Sequence, residues 1–299
     1  MSLPANHAMN RARIKRDDEF YTLDDTVACE LERWRGMIAG RPVLCNCNDR
    51  PGRSAFARFF ETRMRDWRIP RLSCVSFEPD YGTLFDRGPA RVYTRLPGQP
   101  WHALPIPGGG GFDTPPVERL LDEPRVIVVT NPPFSRFNDF LTLLDAHGVD
   151  WLVLANLNAA TNRMVFPLFM TGRCRLTGGI LGGTRFRRPD GRVENVNSVR
   201  WYTSLPATAD PFETGVRFTG RAWERFDLTD AINVDRTSLI PDDYMGLMGV
   251  PVTFLDHYRP GCGYRLIGKL DHGSGPYDLG APLIGGRARY TRLLIRRDC

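Results

Sequence analysis

Apolar positions along the chain switch repeatedly between a helical period and short unbroken runs. Val27, Leu31 and Trp34 recur at helical spacing and predict a helix over 24–38. Arg41 to Leu44 predicts a strand that runs out into Cys45-Asn46-Cys47-Asn48-Asp49. Phe56, Phe59, Phe60 and Met64 predict a helix over 53–67, and Leu72 to Phe77 predicts a second strand that ends in Glu78. Strand, helix, strand is the order of a parallel sheet with crossovers. Residues 79–116 are rich in Pro and Gly, with Gly108-Gly109-Gly110-Gly111 before Phe112-Asp113. They predict an irregular insertion with a short hairpin around Val92-Tyr93. The alternation then resumes with a helix at Val117–Leu121, a strand at Val126–Thr130, a helix at 136–147 and a strand at Trp151–Ala155. Beyond about residue 160 the pattern breaks into short strands, turns and arginine. The fold class expected is α/β, with a doubly wound, mostly parallel sheet. Residues 1–16 are expected to form a basic arm, 17–165 the core of this sheet, and 166–299 the remainder of the fold.

Composition narrows the partners. With 299 residues, 42% of them apolar, the chain can bury a large core. No apolar run reaches a membrane span and no signal peptide is read, so a cytoplasmic protein is expected. Seven cysteines, scattered and odd in number, argue against a disulfide framework. They have no metal-ligand spacing, so no metal site is expected. The net charge is +6, and Lys15 and Lys269 are the only lysines. An arginine surface suits bidentate contacts to phosphate and guanine.

Candidate chemistry concentrates at Asn131-Pro132-Pro133-Phe134, straight after the β-branched run that ends at Thr130. Two prolines stop the ladder and fix the backbone. The carboxyl end of a central strand is where open α/β sheets hold ligands. An exocyclic amine on adenine is a poor nucleophile because its lone pair is delocalised into the ring. The Asn131 side-chain oxygen and the Pro132 carbonyl would accept its two hydrogens and localise that pair, while Phe134 would stack on a flipped base. The alternative is a rigid turn after a core strand, with Asn131 as a local cap.

Several segments together resemble the EcoRI-type adenine-specific DNA methyltransferases. They are Asp18-Glu19-Phe20-Tyr21-Thr22, Val43 to Asp49, Val128 to Ser135, Asn156-Leu157-Asn158-Ala159, Val199 to Thr203, Met248 to Leu255 and Arg289 to Arg297. The resemblance implies a sheet of the S-adenosylmethionine-dependent methyltransferase type. It also implies transfer of a methyl group from that cofactor to the N6 amine of adenine in double-stranded DNA, with a C-terminal DNA-recognition portion. A cognate restriction endonuclease acting on the same site would be a partner. Carried over, Asn131, Pro132, Pro133 and Phe134 become the target-base site. The loop Cys45, Asn46, Cys47, Asn48 and Asp49 becomes the cofactor loop, and Phe20, Tyr21 and Thr22 the segment packed against the cofactor. The chain departs from the methyltransferase pattern in lacking a glycine-rich cofactor loop after its first strand, and from the family in the Gly108–Gly111 run, where acids interleaved with glycine are expected. Other readings are a methyltransferase of this fold acting on RNA or a protein glutamine, and an inactive DNA-binding relative.

The remaining candidates each have two readings. Asp49 holds the cofactor's amino group, or it caps the next helix. Glu78 takes the ribose hydroxyls, or it is a solvated loop acid. Phe112 and Asp113 flank the cofactor's adenine, or they pack an ordinary loop. Asn156 and Asn158 contact the flipped base, or they stabilise a turn. Arg185, Arg187, Arg188 and Arg192 around Pro189-Asp190-Gly191 reach DNA, or they form a solvated charge run.

Overall fold

The computed structural model describes residues 21–85, 88–178, 184–187, 191–207, 210–219, 222–273 and 275–298. Phe20, Arg188 and the expected basic arm lie outside these. The described residues fall into two compact units. The first holds those up to Ala155 and those of the 179–201 stretch; the second holds those of 156–178 and 202–299. The boundary expected near residue 165 therefore compares with a chain that leaves the first unit after Ala155 and returns to it once.

The first unit begins with strand β1 (Tyr21–Thr22), helix α1 (Asp24–Leu31), a 3-10 turn and helix α2 (Arg35–Ile38). Strand β2 (Val43–Cys45), helix α3 (Ala55–Arg63) and strand β3 (Leu72–Val75) form the expected crossover unit. The insertion supplies β4 (Arg91–Arg95), β5 (His102–Pro105) and helix α4 (Pro115–Glu118). Strand β6 (Ile127–Thr130), helix α5 (Phe137–Ala146) and strand β7 (Asp150–Asn156) complete the alternation. Strands β3, β2, β6 and β7 run parallel in that spatial order, with Val43 beside both Leu72 and Ile127, and Thr130 beside Val153. All four residues of β3 and of β6 are buried, as expected for strands covered on both faces. The hairpin around Val92 is part of this sheet. Strand β4 pairs antiparallel with β3, and β5 with β4.

Two features brace the ends of the parallel strands. The aromatic face of α3 meets Trp67, with Phe59 5.2 Å and Phe60 6.0 Å from it in edge-on contact. At the amino-terminal ends, the Arg41 guanidinium donates to the carbonyls of Arg125 (3.0 Å) and Val126 (3.2 Å) and pairs with Asp150 at 2.8 Å. One side chain thus ties the starts of β2, β6 and β7.

Strand β8 (Arg175–Leu176), which follows helix α6 (Phe166–Met170), pairs in the second unit with Tyr202–Thr203. In the first unit, β9 (Thr184–Arg187) pairs antiparallel with β10 (Val193–Val196) on one side and with β1 on the other. Strand β11 (Val199–Thr203) lies next to β7 in the large sheet. The second unit carries a four-stranded sheet in the order β12 (Ile232–Asn233), β13 (Met248–Val250), β17 (Arg292–Arg297), β14 (Tyr264–Leu270), and a hairpin of β15 (Leu283–Ile284) and β16 (Arg287–Ala288). Lys269, one of the two lysines, is buried there, donating to Asp271 at 2.6 Å. No helix among the described residues is long and apolar enough to cross a membrane.

Candidate active site

The carboxyl ends of β2, β3 and β6 converge through hydrogen bonds between their exit loops. After β2, Asn48 takes a left-handed conformation (φ 61°), which Asn tolerates better than most residues, and its Oδ1 accepts from the Phe77 amide at 3.2 Å. Asp49 is buried: its amide donates to Val75 O (2.9 Å), its Oδ1 accepts from Ser54 Oγ (2.6 Å), and its Oδ2 accepts from the Cys47 amide (3.2 Å) and from Thr130 Oγ1 (2.5 Å). Ser54 in turn caps α3, accepting from the Ala57 amide at 3.3 Å. One carboxylate thus joins the β2 loop, the start of α3 and the residue directly before Asn131. Both its oxygens are committed to the protein.

Burial pushes Asp49 up to about 6, although the bonds from Ser54, Thr130 and Cys47 pull the other way. A carboxyl raised above its unfolded value of about 3.9 favours the folded state most at low pH and loses that contribution as pH rises through the folded value. Stability is therefore expected to fall between about pH 4 and pH 7 by on the order of 3 kcal/mol from this group. Asp49→Asn should flatten that slope when urea midpoints are compared at pH 5 and pH 7; parallel pH profiles for the two proteins would refute the assignment.

Asn131 is half-buried, Pro132 buried, and Pro133 and Phe134 half-buried as the chain turns into α5. The Phe134 ring meets Phe186 of β9 edge-on at 6.4 Å. Phe186 is buried while Arg185 and Arg187 on either side point outward, the two-residue alternation of a strand. Arg185 pairs with Asp25 of α1, and Arg192 is exposed.

The other candidates are placed as follows. Glu78 is half-buried and paired with Arg50. Phe112 is buried, edge-on to Phe140 at 5.0 Å, with the Arg136 guanidinium 4.6 Å over its ring. Asp113 pairs with the same Arg136 at 2.9 Å, and that bond holds its carboxyl below the usual range. Arg136 follows the tetrapeptide by two residues, so Phe112 and Asp113 brace the start of α5. In the second unit, Asn156 Oδ1 accepts from the Asn158 amide at 2.9 Å, capping a 3-10 turn, and the Tyr202 hydroxyl donates to Asn156 O at 2.8 Å.

The glycine run has a steric reason. The Gly109 carbonyl accepts from the Glu78 amide at 2.8 Å and the Gly108 carbonyl from Ala90 at 3.0 Å. A Cβ on Gly109 would stand 2.6 Å from Glu78 O, and one on Gly110 2.2 Å from Ser76 O. Gly109 and Gly110 lie backbone to backbone along the exit of β3, where side chains do not fit.

Two buried polar atoms fit a ligand at this edge. Asn46 Nδ2, in the β2 loop, and Thr22 Oγ1, in β1, have no hydrogen-bond partner among the described residues. Buried donors are satisfied in nearly all native sites, so a polar ligand with acceptor atoms would complete the Asn46 amide. Cys45 and Cys74 face each other across β2 and β3, and burial pushes the thiols of Cys45, Cys47 and Cys74 up. They are neutral packing groups rather than nucleophiles. The sequence reading did not single out Thr130, Ser54, Arg136, Phe186 or Arg50. A polar threonine ending an otherwise apolar strand was the one available signal.

A parallel sheet with its loops gathered at one edge, and an Asn-Pro-Pro-Phe turn at the end of a central strand, define an α/β methyltransferase. The family model for the adenine-specific methyltransferase EcoRI matches residues 8–297, and the chain belongs to that family. It is 33% identical over 278 residues to the type II methyltransferase M.MpnI of Mycoplasma pneumoniae, covering 85% of this chain and 83% of that one. To the type II methyltransferase M.EcoRI of Escherichia coli it is 29% identical over 321 residues, covering 97% and 96%. No solved structure matches the chain.

Proposed function

We propose that the protein methylates the N6 amine of an adenine flipped out of double-stranded DNA, at one particular sequence. The observation that carries this reading is the Asn131–Phe134 turn, held at the sheet's ligand edge by the Thr130–Asp49 hydrogen bond. The Asn131 amide oxygen and the Pro132 carbonyl accept the two amine hydrogens and localise the lone pair. Both acceptors stand on a backbone that two prolines and the bond one residue earlier already hold, so little ordering is required when the base arrives. Phe134, buttressed by Phe186, stacks on the base, an interaction worth about 1–3 kcal/mol.

S-adenosylmethionine, when bound, supplies an electrophilic methyl group. Asn46 and its neighbours Cys45, Cys47 and Asn48 after β2, Glu78 after β3 and the Tyr21–Thr22 segment are the residues that would hold it. Asp49 supports that loop from beneath. Arg187, outward on β9, and Arg192 face the DNA backbone, with Arg185 held beside them by Asp25, and the second unit supplies further recognition. The reading places the enzyme in the cytoplasm, alongside an endonuclease that cuts the same sequence when unmethylated.

Labelled methyl transfer to duplex DNA, followed by mapping of N6-methyladenine, tests the proposal. Modified adenines are expected in a single sequence context. Label on RNA or on protein, with none on DNA, would sink it.

A further inference from the structure

A cavity of about 290 Å³ in the first unit is lined by Thr22, Leu23, Asp24, Arg53, Arg58 and Arg187. It lies at the starts of two helices: Leu23 caps α1, and Arg53 precedes Ser54, the cap of α3. Three guanidiniums and one carboxylate line it, and the ion pair of Arg185 with Asp25 joins the same strand and helix. Arg58 is committed, gripping Asp24 through Nε and Nη2 at 2.9 Å each and donating through Nη1 to Gly52 O at 3.0 Å. Arg185 is committed to Asp25. Arg53 and Arg187 are exposed and have no acid or acceptor among the described residues. The acids at the head of α1 therefore fix the walls of the cavity, and two cations are left over. The amino ends of two helices add partial positive charge.

We propose that this cavity is a built anion site and that Arg53 and Arg187 together clamp one backbone phosphate of the DNA strand that carries the target base. The inference rests on the DNA reading above and goes beyond it in assigning one phosphate to Arg53 and Arg187, which neither the base site nor the cofactor site uses, although Thr22 of the cofactor segment also lines the cavity. Two guanidiniums on one anion give the forked, charge-assisted contact that phosphate favours. Arg187 follows Phe186, whose ring abuts Phe134, and leaves the other face of β9, so the clamp stands near the base site without entering it. A phosphate held here would fix the strand's register relative to the base site and carry no sequence information itself.

The test is fluorescence anisotropy with duplex DNA across a salt series, without cofactor, on the wild type, Arg53→Ala/Arg187→Ala and Arg65→Glu. The last removes the same two units of charge at an exposed arginine that lines no part of the cavity. The double variant should bind about 10–100-fold more weakly at low salt. Its log–log salt slope should be shallower by about 1. The loss should be equal on specific and unrelated sequences, and calorimetry should find S-adenosylmethionine affinity unchanged. An unchanged slope, an equal drop in Arg65→Glu, or a loss of cofactor affinity in place of DNA affinity would overturn the clamp. If the wild type methylates DNA while the double variant keeps its slope, only the clamp fails. If the wild type neither binds nor methylates duplex DNA, the reading beneath it fails too.

Discussion

Asn131→Ala is expected to lower kcat for methyl transfer by about 10²–10³-fold while leaving DNA binding nearly intact. The amide oxygen is one of two acceptors proposed to polarise the target amine. Its bond strengthens as the amine gains positive charge, so it acts mainly in the transition state, and kcat rather than KM carries the loss. Alanine removes the acceptor and leaves the two prolines and the Thr130–Asp49 bond that shape the turn. The variant should therefore fold and melt close to the wild type. Asn131→Asp keeps an oxygen and should fall between the two. Single-turnover transfer with the duplex in excess separates chemistry from binding. A variant that loses DNA affinity but retains its single-turnover rate would assign Asn131 to binding and remove it from the chemistry.

The second large effect concerns Gly110. It has φ +75°, and a Cβ there would stand 2.2 Å from Ser76 O and 2.6 Å from the Ala90 Cβ. Both neighbours belong to the exit of β3 and the entry to β4, so neither gives way without shifting the sheet edge. The left-handed backbone costs about 1–2 kcal/mol for a residue with a side chain, and forced overpacking about 1–3 kcal/mol more. Gly110→Ala should thus lose roughly 2–5 kcal/mol in urea titration. Gly108→Ala is the internal control. It has φ +90° but nothing within 4 Å of its Cβ, so only the backbone cost of about 1–2 kcal/mol applies. Equal losses at the two positions would show that packing against Ser76 does not constrain the run.

Much of the first unit was legible because buried parallel strands are written as unbroken apolar runs. Val126–Thr130 and Trp151–Ala155 read as strands to within a residue or two, and the helices between them followed from their spacing. The place of Asn131 at the end of a central strand came with them. Polar partnerships were not legible, since no period marks them. Asp49 and Thr130 are 81 residues apart, and only the fold brings them together. The same holds for Arg136, which engages Asp113 and covers Phe112. The glycine run was visible as composition, whereas its cause, a close approach to the backbone of Ser76 and Glu78, depends on where β3 ends. The pairing of β1 with β9 left no trace in the pattern, because β1, with two residues, is too short to show alternation.

That last pairing has a consequence for how the protein is made. Asp25 and Arg185, the ion pair that flanks it, are 160 residues apart. At a synthesis rate of about 5–20 residues per second, the head of the chain leaves the ribosome roughly 10–30 s before the strand it pairs with. Throughout that interval the first strand has no neighbour, while the local β2–α3–β3 unit has all of its own contacts available. The arginine-lined cavity is thus among the last parts of the first unit to form, and a nascent enzyme acquires its proposed hold on DNA only after the frame of its methylating edge has been laid down.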